Sequence, residues 1–399
     1  MDNKRVNLYF FGEIGIYDKY SPEYVCNKEF AREILYIIAK NNPYTISRDE
    51  IINTLGIKEK LFDELITSFK EVNFIESKDN RYKINFPVFL EEDLKELDKY
   101  LCNIGNQIGD IIIENKAIIY NKIENLSSFS NFSKERLLYH IICDDIFDGT
   151  AIDFFGDKDI FCTSKNQPDN RDYLVIGYEE GEEIESHSNR LLCSSNNFRS
   201  KSFNFNSFGD ANGNRKDMYR FFRKSQKKLE DATDFKELNL AYIKIIENKN
   251  REIAEECGNL ILKILNSKVQ YLELDKKEKD LVDFLKEINY VSLDSKNGII
   301  KCEVPIFTED DRVIIKEISS LVLNETLELI KNFFIDFEKG NKNLMALKHK
   351  VDIKEVANEL WHQIFGLTNE YLVETGIVEK PIDIKEEGRY LRSLSFSNQ

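Results

Sequence analysis

Residues 195–228 carry the densest run of side chains that could hold a phosphate group. The segment has nine basic residues and two acidic ones, although the whole chain has a formal net charge of −15. Seven aromatic residues are interleaved with the basic ones. Cationic side chains bind phosphate oxygens, and neighbouring rings can stack on bases. The basic residues of this patch are Arg199, Lys201, Arg215, Lys216, Arg220, Arg223, Lys224, Lys227 and Lys228.

Two interpretations of this basic patch stay open. In the first, the patch binds nucleic acid as a local exception to an acidic chain, whose overall charge repels polyanions at long range. In the second, the aromatic residues pack inward and the basic residues balance an acidic neighbour, such as the loop at 179–183. The composition of the patch is compatible with both interpretations.

The same central region contains enough donors for a tetrahedral metal site. The spacing of these donors is irregular, and only one histidine–cysteine pair is close, on a predicted helix. All seven cysteines are scattered without any Cys-x-x-Cys pair, which indicates reduced, mostly buried thiols. We therefore predict core residues and no metal site. The donors considered are His140, Cys143, Cys162, His187 and Cys193.

Signatures of other chemistry are missing from the sequence. Residues 210–214 imitate the start of a calcium loop, but Phe221 stands where such a loop needs its twelfth-position glutamate, so we predict a turn. The chain has no phosphate-binding glycine loop, nucleophile elbow, His-Glu-x-x-His motif or dinucleotide fingerprint. We expect no catalytic residues and no cofactor.

The elements that would position these residues include a module written twice. Residues 69–75 (FKEVNFI) match residues 285–291 (LKEINYV), with three identities and four apolar exchanges. Residues 87–93 (PVFLEED) then match residues 305–311 (PIFTEDD). Repetition at this distance indicates a duplicated unit within one chain, which could provide the pseudo-twofold shape that other proteins obtain by dimerising.

The first copy has a definite element order. Residues 28–40 show a helical apolar stripe, and Ser47 with Glu50 forms a capping box for a helix that Gly56 can close. A third helix is predicted from Lys58 to Val72, and a two-stranded hairpin follows it. This order of three helices, a glycine turn and a hairpin resembles the winged helix-turn-helix superfamily of transcriptional regulators. The second copy keeps the last helix and hairpin but shows no clear second helix or glycine turn.

The resemblance implies that the third helix lies in a major groove and that the hairpin contacts the DNA backbone. This helix departs from the usual pattern, because its lysines are outnumbered by acidic residues and it offers no Arg, Asn or Gln to read bases. An acidic third helix is also typical of modules that dock on proteins. The contacts that the resemblance implies are Lys58, Lys60, Thr67, Ser68, Lys70, Arg81 and Lys83.

A heptad pattern follows the first copy, at Leu94, Leu97, Leu101, Ile104, Ile108 and Ile111. It predicts either an intermolecular coiled coil, with a homodimer as the consequence, or an internal helix pair with the equivalent helix after the second copy. Residues 152–155, 159–162 and 173–178 are predicted strands of a central region that interrupts the helical pattern.

The predicted fold class is α+β and predominantly helical, with two winged-helix-like modules and long helices flanking a central α+β insertion. An apolar content of 42% supports folded domains. The predicted domains are an N-terminal strand or hairpin arm (1–26), a winged helix-turn-helix (27–90), a long connecting helix (91–126), a central α+β sensing or interaction domain (134–230), a degenerate second winged-helix-like module (235–312) and a C-terminal helical region (313–399).

The sequence favours a transcriptional regulator that binds double-stranded DNA through its N-terminal module and senses a small-molecule or protein effector in its centre. The alternative is an interaction protein that does not bind DNA and uses both modules as docking surfaces. No apolar run approaches the roughly 18 to 20 residues of a membrane span, so we expect a cytoplasmic protein without membrane partners.

Overall fold

The computed structural model describes residues 4–182, 184, 189–230, 236–341 and 343–396, without the side chains of 225–230 and 236–242. Over these residues the chain is a mixed α+β protein in which helices predominate. This agrees with a sequence that contains only 17 glycines and 6 prolines, the residues that most disfavour a helix interior. None of the described helices combines the length and the apolar character that crossing a bilayer requires.

The first half of the chain contains eight α-helices, one π-helix and six strands among its described residues. They are, in chain order, β1 (Val6–Glu13), α1 (Pro22–Cys26), α2 (Ala31–Lys40), α3 (Arg48–Leu55), α4 (Glu59–Glu71), β2 (Ile75–Lys78), β3 (Arg81–Ile84), β4 (Val88–Phe89), α5 (Glu91–Glu114), α6 (Lys116–Ile123), α7 (Lys134–Leu138), the π-helix (Tyr139–Thr150), α8 (Ala151–Asp157), β5 (Asn166–Gln167) and β6 (Arg171–Glu179).

The second half begins with a hairpin of two strands and continues with long helices. Its elements are β7 (Ser194–Arg199), β8 (Phe203–Gly209), α9 (Met218–Glu230), α10 (Lys236–Asn266), α11 (Lys276–Glu287), β9 (Val291–Leu293), β10 (Ile300–Cys302), β11 (Ile306–Phe307), α12 (Asp311–Gly340), α13 (Met345–Lys348), α14 (Ile353–Glu374), β12 (Asp383–Ile384) and β13 (Gly388–Phe396).

The chain divides into two compact units. The first unit consists of the residues up to 110, residues 149–189 and residues 323–368. Its sheet has the order β1-β6-β4, in which β6 pairs antiparallel with β1 and parallel with β4. Strand β6 is buried continuously from Tyr173 to Glu179, as expected for a strand covered on both faces.

A helix–hairpin module, residues 31–84, lies within the first unit. The predicted capping box is present, since Ser47 Oγ accepts from the Glu50 N–H and the Glu50 carboxylate accepts from the Ser47 N–H. Gly56 ends α3 with a φ of 63°, a conformation that glycine adopts at little cost. Helix α4 buries Phe62, Leu65, Ile66 and Phe69 on one face. The hairpin β2–β3 pairs Ile75 with Ile84.

The second unit consists of residues 111–148, residues 190–322 and the residues from 369 onward. Its sheet has the order β11-β13-β8-β7, and β12 pairs with β13 outside that path. Helices α10 and α11 contribute Cys257, Ile261, Val282 and Leu285 to a core that also receives Phe205 from β8.

The two sequence copies form corresponding local structures. After each hairpin, a two-residue strand pairs in parallel within its sheet: β4 with β6, and β11 with β13. An aspartate in the first turn of the following helix accepts a backbone N–H in each copy. Asp93 accepts from Leu90 at 2.9 Å, and Asp311 accepts from Thr308 at 2.7 Å.

Each unit contains a segment from the other half of the chain. Residues 111–148 follow the first helix–hairpin module in sequence but belong to the second unit. Residues 323–368 follow the second copy of the repeat but belong to the first unit. The exchange is reciprocal, and in both copies the exchanged segment begins inside the long helix that follows the hairpin, α5 or α12.

Several predicted elements are wrong. Residues 152–155 form part of helix α8, because Ala151 and Phe155 are buried at a helical spacing of four residues. Residues 159–162 follow that helix as an irregular segment outside any strand. The prediction of a strand over 173–178 is confirmed within β6.

Two further predictions need correction. The apolar seam of α5 buries Ile112 where the heptad pattern indicated Ile111, since the burial follows the helix and drifts from a strict seven-residue repeat. The C-terminal region, predicted as helical, also contains β13, which pairs with three other strands of its sheet. Within β13, Tyr390 and Leu394 are buried and lie an even number of residues apart, as residues on one face of a strand do.

Candidate nucleic-acid interface

Helix α4 exposes fewer of the side chains that were predicted to contact DNA than the sequence indicated. Lys58, Lys60 and Lys70 are exposed, as is Thr67, whose hydroxyl donates to the carbonyl of Asp63. Ser68 is buried, and its hydroxyl accepts from Lys28 Nζ at 2.7 Å and donates to the Glu64 carbonyl. The prediction that Ser68 contacts DNA is therefore wrong, because its position in α4 turns it toward the interior.

Acidic side chains occupy the same face. Arg48 of α3 donates to Asp63 and to Glu59 at 3.0 Å each, and these carboxylates raise the pKa of the guanidinium. Lys60 lies 3.9 Å from the Glu64 carboxylate. The cations of α3 and the first turns of α4 are thus matched by carboxylates, which weakens the attraction of this face for a polyanion.

The predicted hairpin contacts are also engaged. Arg81 donates to the carbonyl of Thr45, which fixes its guanidinium against the loop before α3. Lys83 is 14% exposed and forms an ion pair of 3.3 Å with Glu76. Of these two residues, only Arg81 presents an exposed cation on the hairpin.

The second unit contains a cleft of about 490 Å³ whose walls are rich in arginine. Three elements form it: the edge strand β7, helix α9 and helix α10. The cleft is lined by Asn197, Phe198, Arg199, Tyr219, Arg223, Ile243, Glu247 and Arg251. We call this site the arginine cleft.

The local structure explains why these side chains face one space. Tyr219 and Arg223 are four residues apart on α9, so they share one face of that helix. Residues 243, 247 and 251 repeat the same spacing on α10. The adjoining face of α9 is buried through Met218 and Phe222, and the Phe222 ring lies 4.6 Å from that of Phe198. The aromatic residues of the patch therefore anchor α9 through Phe222 and place the rings of Phe198 and Tyr219 in the cleft.

The arginine cleft has an excess of positive charge. Within the described part of the chain, neither Arg199 nor Arg223 forms an ion pair, and both side chains are exposed. Arg251 pairs with Glu247 at 2.7 Å and keeps 59% of its side chain exposed. A guanidinium presents a planar fork of donors that matches phosphate oxygens, so this arrangement suits a phosphate group.

The structure separates the predicted basic patch into different roles. Arg215 is 1% exposed and donates to the carbonyls of Ser207 and Ser194 at 2.8 and 3.0 Å, and its burial lowers its pKa. Its inclusion among surface contacts is wrong, because the guanidinium satisfies carbonyls beneath the β7–β8 hairpin. Lys216 pairs with Glu387 at 3.0 Å. Arg220 donates to the Gly213 carbonyl.

The remaining basic residues of the patch do not line the arginine cleft among the described side chains. Lys201 and Lys224 are exposed outside the cleft lining. The side chains of Lys227 and Lys228 lie outside the described residues. Arg251 was missed by the sequence argument, since it lies 23 residues beyond the patch. Its spacing from Ile243 and Glu247 on one long helix was the signal that could have pointed to it.

The candidate metal donors are dispersed. Cys162 belongs to the first unit, whereas His140, Cys143 and Cys193 belong to the second, and His187 lies outside the described residues. No three His, Cys, Asp or Glu side chains converge on a common point in the described ranges. Burial raises the pKa of the Cys143 thiol well above its ordinary value, which disfavours the thiolate that zinc requires.

The calcium-like segment is a turn stabilised by its own aspartate. Asp210 Oδ1 accepts the backbone N–H of Asn212 at 3.1 Å, and Oδ2 accepts from Arg389 at 3.0 Å. Arg389 also donates to both carboxylate oxygens of Glu370. Arg389 is thus held between two carboxylates, those of Asp210 and Glu370.

Comparison with known proteins gives no relative to argue from. No protein-family model, no curated protein and no solved structure matches this chain.

Proposed function

We propose that this chain is a nucleic-acid-binding regulator of the winged-helix class whose arginine cleft makes the principal phosphate contacts. The observation that carries the proposal is the presence of Arg199, Arg223 and Arg251 in one cleft together with an exposed aromatic ring. Residues 31–84 support the class, because three helices, a left-handed glycine and a two-stranded hairpin follow one another in the order of a winged helix.

The positive charge of the arginine cleft contrasts with the negative charge of the whole chain, and this contrast supports a role in binding phosphate groups. A net charge of −15 disfavours chance association with polyanions, so two guanidinium groups that pair with no described carboxylate form a local reversal of the surrounding field. Phosphodiesters carry one charge per nucleotide and suit such a site better than a carboxylate ligand does, because bound counterions are released on association.

The third helix of the module is a weaker candidate for base reading. Its exposed face holds Glu59, Asp63 and Glu64, and two of these carboxylates are bridged by Arg48. This observation favours a second function for the module itself: docking on a protein partner. In a regulator both activities can coexist, with the cleft holding nucleic acid and the module contacting a second protein.

The test is a fluorescence-anisotropy titration with labelled DNA at about 50 mM and about 200 mM salt. We expect binding that weakens steeply with salt. The double variant Arg199→Gln/Arg223→Gln should lower affinity and reduce the salt slope by about 0.7 to 0.9 per lost phosphate contact. Its matched control, Lys58→Gln/Lys60→Gln, removes the same charge from the α4 face and should change binding little.

The two double variants distinguish the arginine cleft from the α4 face as the site that binds nucleic acid. Loss of binding in the α4 variant alone would move the nucleic-acid interface to the module and contradict the assignment to the cleft. Absence of binding at low salt for every DNA form tested would overturn the nucleic-acid function and leave the docking function. Equal thermal unfolding curves for both double variants are required before either result is interpreted.

A further inference from the structure

We propose that the arginine cleft accepts an unpaired nucleotide, with its base stacked on Tyr219 and its phosphate held by Arg199 and Arg223. The inference rests on the proposed function and specifies its substrate class as single-stranded nucleic acid. Two observations support it: the Tyr219 ring is exposed in the cleft, and the cleft has the volume of a site for a small molecule.

Tyr219 differs from the other aromatic residues of the patch. Phe198 packs against Phe222, and Phe221 packs against Phe284 with ring centroids 4.9 Å apart. Tyr219 is 38% exposed, lines the cleft and makes no ring–ring contact within the described residues. A ring that lies open beside guanidinium groups without an ion-pair partner in the described ranges can stack with a base at little cost in rearrangement.

The cleft selects against a duplex. Its volume of about 490 Å³ lies in the range of sites for single small molecules, which is roughly 300 to 1,000 Å³. In a duplex the faces of the bases are covered by their neighbours, so only base edges and the backbone are accessible. Tyr219 can therefore contribute stacking only to a base that is unpaired, terminal or turned out of its helix.

Polar groups of the lining are placed to contact a base edge. The Asn197 amide receives a hydrogen bond from Asn204 at its oxygen, at 3.4 Å, while its NH₂ group is engaged by no described residue. Glu247 contributes the carboxylate of the lining and is paired with Arg251. A phosphate is therefore best placed near Arg199 and Arg223, away from Glu247, which leaves the base to Tyr219 and Asn197.

The experiment compares Tyr219→Ala and Tyr219→Phe on a labelled single-stranded DNA, the same sequence as RNA, and the blunt duplex. The alanine variant should lose roughly tenfold in affinity for the single strands, whereas the phenylalanine variant keeps the ring and the affinity. The matched control is Tyr100→Ala on α5, which removes another exposed tyrosine, 54% exposed, and should not change binding.

A competition experiment distinguishes a free nucleotide from a nucleotide within a strand as the ligand of the cleft. Displacement of the labelled strand by a nucleoside monophosphate at equal nucleotide concentration would support the same stacked site, filled by a free nucleotide. A much weaker effect of the monophosphate would support the polymer.

The inference is overturned if Tyr219→Ala binds single strands as tightly as the parent, or if the duplex binds as tightly as the single strand. Failure of the inference is distinguishable from failure of the proposed function. If the arginine double variant loses DNA binding while Tyr219→Ala keeps it, the phosphate site stands and the stacked base does not. If no nucleic acid binds at low salt, the proposed function itself fails.

Discussion

Asn73 and Asn289 lie 216 positions apart in the sequence and adopt the same left-handed backbone conformation, with φ values of 57° and 56°. Each donates its N–H to the lysine three residues earlier, at 3.1 and 3.0 Å. The next residue in each copy, Phe74 or Tyr290, closes the helix end with a hydrogen bond of 2.8 Å. The sequence repeat thus corresponds to a repeated helix ending.

The left-handed conformation predicts how these asparagines respond to substitution. A side chain with a Cβ costs about 1 kcal/mol in this region, and asparagine tolerates the region better than alanine does. We expect Asn289→Ala to lower the free energy of unfolding by about 1 kcal/mol and Asn289→Gly to leave it unchanged or higher. Urea denaturation of both variants provides the check, and equal stability of the alanine and glycine variants would contradict the argument.

Protonation of buried histidines should destabilise the protein in acid. His349 Nδ1 accepts the Ile84 N–H at 3.1 Å and Nε2 lies 3.2 Å from the Ala39 carbonyl, which requires the neutral ring with its hydrogen on Nε2. Burial lowers the pKa of His349, and burial lowers the pKa of His140 well below its ordinary value.

The sign of this pH dependence follows from the two depressed pKa values. The unfolded chain binds protons below a pH of about 6.5, whereas the folded chain resists them, so stability is retained above that pH and lost as the pH falls. We expect His349→Gln, which offers an acceptor and a donor to the same partners, to lower the slope of stability against pH by up to about one proton relative to the parent chain. Denaturant titrations at pH values between about 5 and about 7.5 measure the slope. An unchanged slope in the variant would exclude His349 as a source of the pH dependence.

A hydroxyl shared by two carboxyl groups predicts a pH dependence of stability with the opposite sign. Ser195 Oγ lies 2.8 Å from Asp144 and 2.6 Å from Asp148, yet a hydroxyl has one hydrogen to donate. One carboxyl group must therefore carry a proton, and burial raises the pKa of Asp144 to about 8. Because the folded value is raised, the stabilisation is present in acid and is lost as the pH rises from about 4 toward 8.

Asp144→Asn tests this proton. The amide can donate to Ser195 and accept from Asn206, which donates to Asp144 in the parent. We expect the variant to be more stable than the parent at pH 8 by at least about 1 kcal/mol, with a smaller difference in acid. Thermal denaturation across this range gives the comparison. A variant that is less stable at every pH would show that Asp144 is ionised in the folded state.

The approach of helix α10 to strand β8 requires a glycine. A Cβ at Gly258 would lie 2.6 Å or less from three ring carbons of Phe203, and Phe203 is buried. We expect Gly258→Ala to lower the free energy of unfolding by about 2 kcal/mol, as overpacking of a core does. Gly340→Ala, at the end of α12 with no atom within 4 Å of the added methyl group, is the control and should be neutral or stabilising. Chemical denaturation of both variants distinguishes a steric effect from a general effect of alanine.

The sequence was sufficient where local chemistry decides the structure. The capping box at Ser47, the glycine at the end of α3, the hairpin after α4 and the apolar strand β6 were all predicted from neighbouring residues. The sequence repeat also aligns Asn73 with Asn289, the two residues at which the helices end in the same conformation.

The failures concern contacts between residues distant in the sequence. Ser68 was predicted as a contact from the winged-helix resemblance and Arg215 from its place in the basic patch. Both are buried, and Lys28 Nζ and the Ser207 carbonyl are among the groups that satisfy their hydrogen bonds. Arg251 joins the cleft through the packing of α9 and α10. Its helical spacing places it on one face with Ile243 and Glu247 but does not specify which element packs against that face. The reciprocal exchange of segments between the two units has no signal in hydrophobic periodicity, since periodicity shows which face of a helix is buried but not the unit in which it is buried.

That exchange has a consequence for expression of the protein in pieces. A fragment ending at residue 189 would lack residues 323–368 of the first unit, and its complement would lack residues 111–148 of the second. Neither fragment carries all the parts of a unit, so the two should be poorly folded apart and should regain structure only when mixed. The two halves of the duplication are in this sense obligate complements, and the polypeptide link between them keeps each supplied with the other at a high effective concentration.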